Sequence, residues 1–170
     1  MGGTISVSSE VGKGSTFVIT IPFEIAPAPE TKKFSPTASV SIQGLNLLLV
    51  EDNELNADIA QILLTDRGAK VTLVRDGKQA LDRFAQLAPG TFDAILMDVM
   101  MPVMDGLTAT RAIRALHRPD AQTIPIIAMT ANAYAEDAKA CLEAGMNAHI
   151  GKPLDIDKVT ETVAECCAKK

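Results

Sequence analysis

From Leu45 onward, short apolar runs alternate with amphipathic stretches, and this alternation limits the possible folds more than any other feature of the chain. Each apolar run is followed by a stretch with helical periodicity, at about residues 54–67, 77–87, 106–116, 135–144 and 155–167. Five strand–helix units in series predict an α/β fold, a doubly wound five-stranded parallel sheet with helices on both faces. The five apolar runs are Leu45–Val50, Lys70–Val74, Phe92–Met97, Ile124–Met129 and Asn147–Gly151.

The first helical stretch carries four large apolar residues at helical spacing. They are Leu55, Ile59, Ile62 and Leu63. Residues that recur every three or four positions share one face of a helix. The spacing therefore predicts that these four side chains face the core.

The first 25 residues have a different pattern. Residues 4–9 and 15–21 each alternate between polar and apolar side chains, and the turn-rich segment Glu10–Gly14 lies between them. This pattern predicts a β-hairpin with one apolar side, and such a hairpin must pack on something to be stable in water. Its apolar side would carry Ile5, Val7, Phe17, Ile19 and Ile21. Residues 26–44 are rich in Pro, Ser, Thr and Ala, and we predict a linker there.

Composition excludes several classes of protein. The chain is 47% hydrophobic and 22% charged, which is typical of a soluble globular protein. Its net charge of −5 falls entirely within residues 45–170, and an acidic surface repels nucleic acid. No apolar run is long enough to span a membrane, so we expect no direct membrane contact. Three cysteines without metal-site spacing, Cys141, Cys166 and Cys167, favour a reducing, cytoplasmic location.

Polar residues follow four of the five predicted strands. Glu51 and Asp52 follow the first, Asp98 the third, Thr130 the fourth and Lys152 the fifth. The carboxyl ends of parallel strands share one edge of the sheet, where such folds bind their ligands. We therefore expect these five side chains to converge on one cleft.

Three carboxylates in one cleft repel one another, and a divalent cation relieves that repulsion. An all-oxygen site with room for water suits Mg²⁺. Lys152 would add a second cation and Thr130 a hydroxyl donor, while Asp98 could act as a nucleophile that forms an acyl phosphate. Each of these residues alone has an ordinary structural explanation, such as a helix cap or a solvated side chain. Together they supply what phosphoryl transfer requires.

Four sequence motifs resemble the signatures of the receiver domain of two-component signalling. They are VEDN at residues 50–53, LMDVMMPVMDG at 96–106, MTANA at 129–133 and GKP at 151–153. Their order and spacing match the family across residues 45–168. The resemblance implies a flavodoxin-like sheet with strand order 2-1-3-4-5, an order that other doubly wound proteins also use.

The resemblance also implies a role for each site residue. Asp98 would be the phosphoacceptor, and Mg²⁺ would be bound by Asp52, Asp98 and the backbone carbonyl of Met100, with Glu51 acting through water. Thr130 and Lys152 would bind phosphoryl oxygens, Thr130 also serving as a switch residue, and the Lys152–Pro153 bond would be cis. His149 occupies a switch position where the family usually has Tyr or Phe. Met100 and Asn132 would flank the site where the family tunes hydrolysis.

The N-terminal segments GGTISVSS at residues 2–9 and GKGSTF at residues 12–17 resemble the last two strands of a histidine-kinase ATP-binding domain. The nucleotide-binding motifs of that family are missing here, and neither His117 nor His149 lies in a phosphoacceptor histidine motif. The resemblance implies part of a hybrid sensor histidine kinase, whose full-length form can be membrane-anchored. This chain would then catalyse at most its own phosphorylation and dephosphorylation.

The implied partners are a kinase histidine that donates the phosphoryl group and a histidine-phosphotransfer protein or domain that receives it. The implied partner surface is the region of the last two helices, about residues 135–167. Two alternatives remain open at this point. One is an interaction module of the same fold that is not phosphorylated, and the other is a flavin-binding protein of the same topology. The second alternative is weakened by Glu51 and Asp52, because carboxylates after the first strand would repel a flavin phosphate.

Overall fold

The five apolar runs form the five strands of a parallel sheet. A computed structural model describes residues 2–22, 41–131 and 135–168, with only the backbone described for residues 135–137. The chain divides into two units, residues 1–36 and 37–170. Of the predicted features, most of the linker and the residue Asn132 lie outside the described residues.

The first unit is the predicted β-hairpin. Strands β1 (Thr4–Glu10) and β2 (Gly14–Thr20) pair antiparallel, with Ile5 opposite Ile19 and Val7 opposite Phe17. A backbone hydrogen bond of 3.0 Å from Lys13 to Glu10 closes the turn. Because directly opposed residues point to the same side, Ile5, Val7, Phe17 and Ile19 form one apolar face. All four side chains are exposed.

The second unit alternates strands and helices along the chain. A turn at residues 41–44 leads into its first strand, β3. The elements are β3 (Asn46–Val50), α1 (Glu54–Asp66), β4 (Lys70–Val74), α2 (Gly77–Gln86), β5 (Ala94–Asp98), α3 (Gly106–Arg114), β6 (Ile126–Thr130), α4 (Ala135–Glu143), β7 (Ala148–Gly151) and α5 (Ile156–Ala168). Among the described residues, no helix is both long enough and apolar enough to cross a membrane.

The sheet confirms the predicted topology. All four strand pairs are parallel, and the order is β4-β3-β5-β6-β7. Counted from the first strand of this unit, that is 2-1-3-4-5. The winding therefore reverses between β3 and β5, and this places the ends of these two central strands beside each other.

Apolar side chains cover both faces of the sheet. Along β3, Leu47 and Leu49 point to a core that α1 and α5 cover, whereas Leu48 and Val50 point to a core that α2, α3 and α4 cover. Every residue of β5 and β6 is buried. The prediction of helices on both faces is confirmed.

The predicted core face of α1 is wrong. The helix buries Ala57, Ala60 and Leu64, while the side chains of Leu55, Ile59 and Ile62 are 67%, 47% and 68% exposed. Alanine lets a helix backbone approach the sheet closely, so the small-residue stripe packs inward. The large aliphatic stripe, of which Leu63 is half-buried, is left facing outward.

The packed core begins before the first strand. Ile42, within the range assigned to the linker, is fully buried among Leu47, Leu64 and Ala69. The turn that carries it is held by a 2.9 Å hydrogen bond from the Gly44 amide to the Gly68 carbonyl. The last few residues of the predicted linker therefore belong to the folded unit.

Candidate functional site

Three carboxylates meet at the carboxyl ends of β3 and β5. Glu51 is 2% exposed and Asp98 is 5% exposed, whereas Asp52 lies open to solvent. One oxygen from each lies within 4.8 Å of the other two. At that separation and an effective dielectric constant of about 20, each charged pair costs about 3 kcal/mol of repulsion. The cluster therefore favours the binding of a cation.

Lys152 supplies one such cation. It follows β7, and its Nζ donates to Glu51 Oε2 and to Asp98 Oδ2, each at 2.6 Å. Burial acts to lower the pKa of Lys152, but the hydrogen bonds and the attraction of both carboxylates outweigh it, so the pKa lies above its ordinary value. The ammonium is therefore charged throughout the physiological range. The Lys152–Pro153 peptide bond is cis, as the resemblance implied.

The second oxygen of Glu51 has a partner that sequence reasoning missed. Asn56 Nδ2 donates to Glu51 Oε1 at 3.1 Å. Asn56 lies in the first turn of α1, and its backbone amide donates to Asn53 Oδ1, the cap of that helix. The one signal in the sequence is an amide side chain five positions after the glutamate. That spacing predicts a contact only once the start of the helix is known.

The loop after β5 holds Asp98 from the other side. The backbone amide of Met100 donates to Asp98 Oδ1 at 3.1 Å, and the Met100 side chain is 79% exposed. Further along, Val103 has a φ of +67°, and the Met104 amide donates to the Pro102 carbonyl at 2.8 Å. This is a γ-turn of the strained kind.

Two glycines allow close approach around this loop. A Cβ on Gly106 would lie 2.1 Å from the carbonyl oxygen of Asp98, and one on Gly77 would lie 2.6 Å from the carbonyl oxygen of Met104. The Gly77 amide donates to that same Met104 carbonyl at 3.1 Å. The backbone that carries Asp98 and Met100 is therefore fixed by α2 and α3.

Thr130 and His149 lie on the neighbouring strands. Thr130 is the last residue of β6 and is 7% exposed, and its carbonyl accepts a 2.8 Å hydrogen bond from the Lys152 amide. His149 is exposed on β7, where it pairs with Ala128. The five predicted strand-end residues thus lie along one edge of the sheet, while His149 lies further back along its strand.

The donor set fits a hard cation. All three side chains offer carboxylate oxygens, and Asp52 leaves the cluster open to water, as expected for a metal ion that keeps several water ligands. Thioether ligands suit softer metals, so the side chain of Met100 does not match this donor set.

Residues 47–164 of this chain match the sequence family of the response regulator receiver domain. The chain belongs to the receiver family. The match spans every element from β3 to the middle of α5 and includes all the residues of the cleft.

Relatives of this receiver include large sensor proteins. The aerobic respiration control sensor protein ArcB of Escherichia coli K12 is 38% identical over 163 residues, which cover 96% of this chain and 20% of that protein. The autoinducer 2 sensor kinase/phosphatase LuxQ of Vibrio vulnificus is 42% identical over 156 residues, which cover 89% of this chain and 17% of that protein. The chain therefore spans about a fifth of the length of these relatives.

A solved receiver structure has the same fold. The receiver domain of the sensor histidine kinase PA1611 from Pseudomonas aeruginosa PAO1 is 41% identical, with a TM-score of 0.66 over 74% of this chain and 98% of that one. That structure holds a magnesium ion in its active-site cleft. The acidic cluster of this chain can likewise hold a metal ion.

Proposed function

We propose that this receiver is the phosphoacceptor of a two-component phosphorelay, in which Asp98 takes a phosphoryl group from a histidine in an Mg²⁺-dependent reaction. One observation carries the proposal. Lys152 Nζ lies 2.6 Å from Asp98 Oδ2, beside three clustered carboxylates at the ligand-binding edge of the sheet. This arrangement combines a nucleophile, a fixed cation and a place for a metal ion.

In the transfer, a carboxylate oxygen of Asp98 bonds to phosphorus while the bond from phosphorus to the imidazole nitrogen breaks. The imidazole leaves with the bonding electrons. Asp52, Asp98 and the Met100 carbonyl would hold Mg²⁺, with Glu51 acting through water, and the bound ion would neutralise charge on the phosphoryl oxygens. The Met100 amide orients Asp98 through its 3.1 Å hydrogen bond, and the charged Lys152 balances the added negative charge.

Thr130 and His149 report the transfer to the rest of the domain. We assign Thr130 to a phosphoryl oxygen because it is buried at the end of β6, beside the strand that carries Asp98. His149 lies on the next strand, facing solvent. We propose that a movement of Thr130 toward the phosphoryl group opens space along β6 and β7 and that His149 responds to this movement.

A direct assay tests the central proposal. The chain is incubated with acetyl phosphate or phosphoramidate and Mg²⁺, and the intact mass is measured. We expect a gain of one phosphoryl group in the wild type and none in Asp98→Ala or without Mg²⁺. No gain in the wild type would favour the alternative of an interaction module that is not phosphorylated. A gain that persists in Asp98→Ala would place the phosphoryl group on another residue and overturn the assignment of Asp98.

We further propose that the histidine-bearing partner docks over α1 and the loop after β5. The side chains of Leu55 and Ile59 on α1 and of Met100 and Val103 on the loop are all exposed, and both segments border the carboxylate cluster. Asp98 is almost completely buried, so the partner must cover α1 and the loop after β5 for its histidine to reach Asp98. In the region predicted as the partner surface, residues 135–167, Leu142 is the one exposed large apolar side chain among those described.

The docking proposal has its own test. Ile59→Glu should slow phosphorylation by a purified phosphohistidine protein while leaving phosphorylation by acetyl phosphate unchanged. Leu142→Glu, which places the same charge on α4, is the matched control and should change neither rate. Equal slowing in the two variants would place the docking surface elsewhere.

For the parent protein we propose a hybrid sensor histidine kinase. The similarity to ArcB and LuxQ extends over 96% and 89% of this chain, and so includes much of the segment that precedes the receiver. The apolar face of the hairpin is then part of the kinase's ATP-binding domain. We also propose a cytoplasmic location, which is supported by an odd number of cysteines without metal-site spacing.

A further inference from the structure

Glu51 is a buried carboxylate held from two sides. Its Oε2 accepts from Lys152 at 2.6 Å and its Oε1 accepts from Asn56 at 3.1 Å. Resting on the proposed function, we propose that Asn56 is a positioning residue that keeps Glu51 directed at the metal cluster. Neither the predicted site nor the implied ligand set contains Asn56.

The two donors differ in what else they do. Lys152 is shared between Glu51 and Asp98, so its position depends on the state of Asp98. When Asp98 carries a phosphoryl group, the ammonium is drawn toward the new negative charge. Asn56 makes no such second contact through its side chain among the described residues, and so it can hold Glu51 in both states. A carboxylate this buried would otherwise lose its last donor at the moment of transfer.

Asn56 is itself held rigidly. Its backbone amide donates to Asn53 Oδ1 at 3.0 Å, and this bond closes the first turn of a thirteen-residue helix. A side chain on a capped helix is placed more accurately than one on a loop. Asn56, Glu51 and Lys152 also line one groove of about 370 Å³, so loss of the amide would open Glu51 to water from this groove. Water in the groove would hydrate Glu51 without fixing its direction.

The test is a double-variant cycle read by Mg²⁺ affinity. Calorimetric titration with Mg²⁺ alone is applied to the wild type, Asn56→Ala, Glu51→Ala and the double variant. We expect Asn56→Ala to weaken Mg²⁺ binding roughly tenfold, the lower end of the loss seen when a partner that orients a metal ligand is removed. In the Glu51→Ala background, Asn56→Ala should have no further effect, because its action passes through Glu51.

Ala60→Gly is the matched control. It lowers the stability of the same helix, yet leaves both the Asn53 cap and the contact between Asn56 and Glu51 in place. It should therefore change the Mg²⁺ affinity by no more than about twofold, which is well below the tenfold loss expected for Asn56→Ala. A purely structural role for Asn56 would give the same affinity change in both variants.

A second measurement needs no metal. The side-chain amide of Asn56 gives its own NMR resonances, and we expect them to shift in Glu51→Ala but not in Leu142→Ala. The proposal is overturned if Asn56→Ala binds Mg²⁺ as the wild type does, or if the effects of Asn56→Ala and Glu51→Ala simply add. If the wild type binds Mg²⁺ but takes no phosphoryl group from acetyl phosphate, the proposed function is wrong. The Mg²⁺ affinities of the four proteins still test the role of Asn56 in that case.

Discussion

Lys152 Nζ lies 2.6 Å from Asp98 Oδ2 although the two residues are 54 positions apart in the chain. The same ammonium lies 2.6 Å from Glu51 Oε2 and so compensates two buried carboxylates at once. A bound metal ion would compensate the same groups. The lysine and the metal ion are thus partly interchangeable as stabilisers of the fold, but only the lysine is covalently part of it.

Replacing Lys152 by Met separates these two roles. Without Mg²⁺, Lys152→Met should be less stable by roughly 3 kcal/mol, because it leaves two buried carboxylates unpaired. With saturating Mg²⁺ the deficit should shrink, and the Mg²⁺ affinity should equal or exceed that of the wild type. Thermal melts with and without Mg²⁺ measure both effects. Melts that coincide without Mg²⁺, or a variant that Mg²⁺ fails to stabilise, would contradict this account.

Relieving the strained turn after Asp98 should stabilise the protein, whereas replacing Lys152 should destabilise it. Val103 has a φ of +67°, which a β-branched residue adopts only at a cost, and its side chain is 85% exposed. Val103→Gly should therefore raise the free energy of unfolding by about 1 kcal/mol. Val103→Ala keeps the Cβ and should recover only part of that gain. Urea melts of the wild type and both variants measure the free energy of unfolding. A loss of stability in Val103→Gly would show that the contacts of the valine outweigh its strain.

The folded boundary of the receiver can be tested by truncation. A fragment of residues 41–170 keeps Ile42, which is fully buried, whereas a fragment of residues 45–170 lacks it. The shorter fragment should be less stable by about 3 kcal/mol, similar to Ile42→Ala in the longer one. Ser41→Ala in the longer fragment removes an exposed side chain and its 3.1 Å hydrogen bond from the Gln43 amide but no buried apolar surface, and it serves as the control. Equal melting temperatures for the two fragments would place the boundary at Leu45.

Much of this fold could be predicted because parallel strands impose strict geometry. Alternating apolar runs and helices determine a two-sided parallel sheet, and the sheet brings its carboxyl ends together. Glu51 and Lys152 directly follow their strands and Asp98 ends its own, so their convergence follows from the topology alone. Sequence spacing was sufficient wherever the site is made by strand ends.

Helix faces could not be predicted in the same way. Helix α1 carries two stripes at helical spacing, one of Leu55, Ile59 and Ile62 and one of Ala57, Ala60 and Leu64. Periodicity shows that each stripe shares a face but does not show which stripe packs on the sheet. The contact of Asn56 with Glu51 was missed for a related reason, because it depends on the residue at which α1 begins.

A buried ion pair far from the site gives a pH-dependent prediction. Asp120 is 9% exposed; its Oδ1 lies 2.6 Å from Arg118 Nε, and its Oδ2 accepts from the Gly90 amide at 2.8 Å. The hydrogen bond from Arg118 is the largest influence and lowers the pKa of Asp120, with burial opposing it and the Gly90 amide assisting. The folded pKa therefore lies below the unfolded value of 3.8.

A carboxyl group whose pKa is lowered by folding stabilises the protein above its unfolded pKa, and that stabilisation is lost as the pH falls through the folded pKa. Asp120→Asn should therefore cost about 2 kcal/mol at neutral pH, and the deficit should narrow as the pH falls below about 4. Asp58→Asn removes an exposed carboxylate from α1 and controls for the change in net charge. Urea melts at several pH values measure the difference. A deficit that stays constant from neutral pH to below pH 3 would mean that the Arg118 pair does not stabilise the fold through its charge.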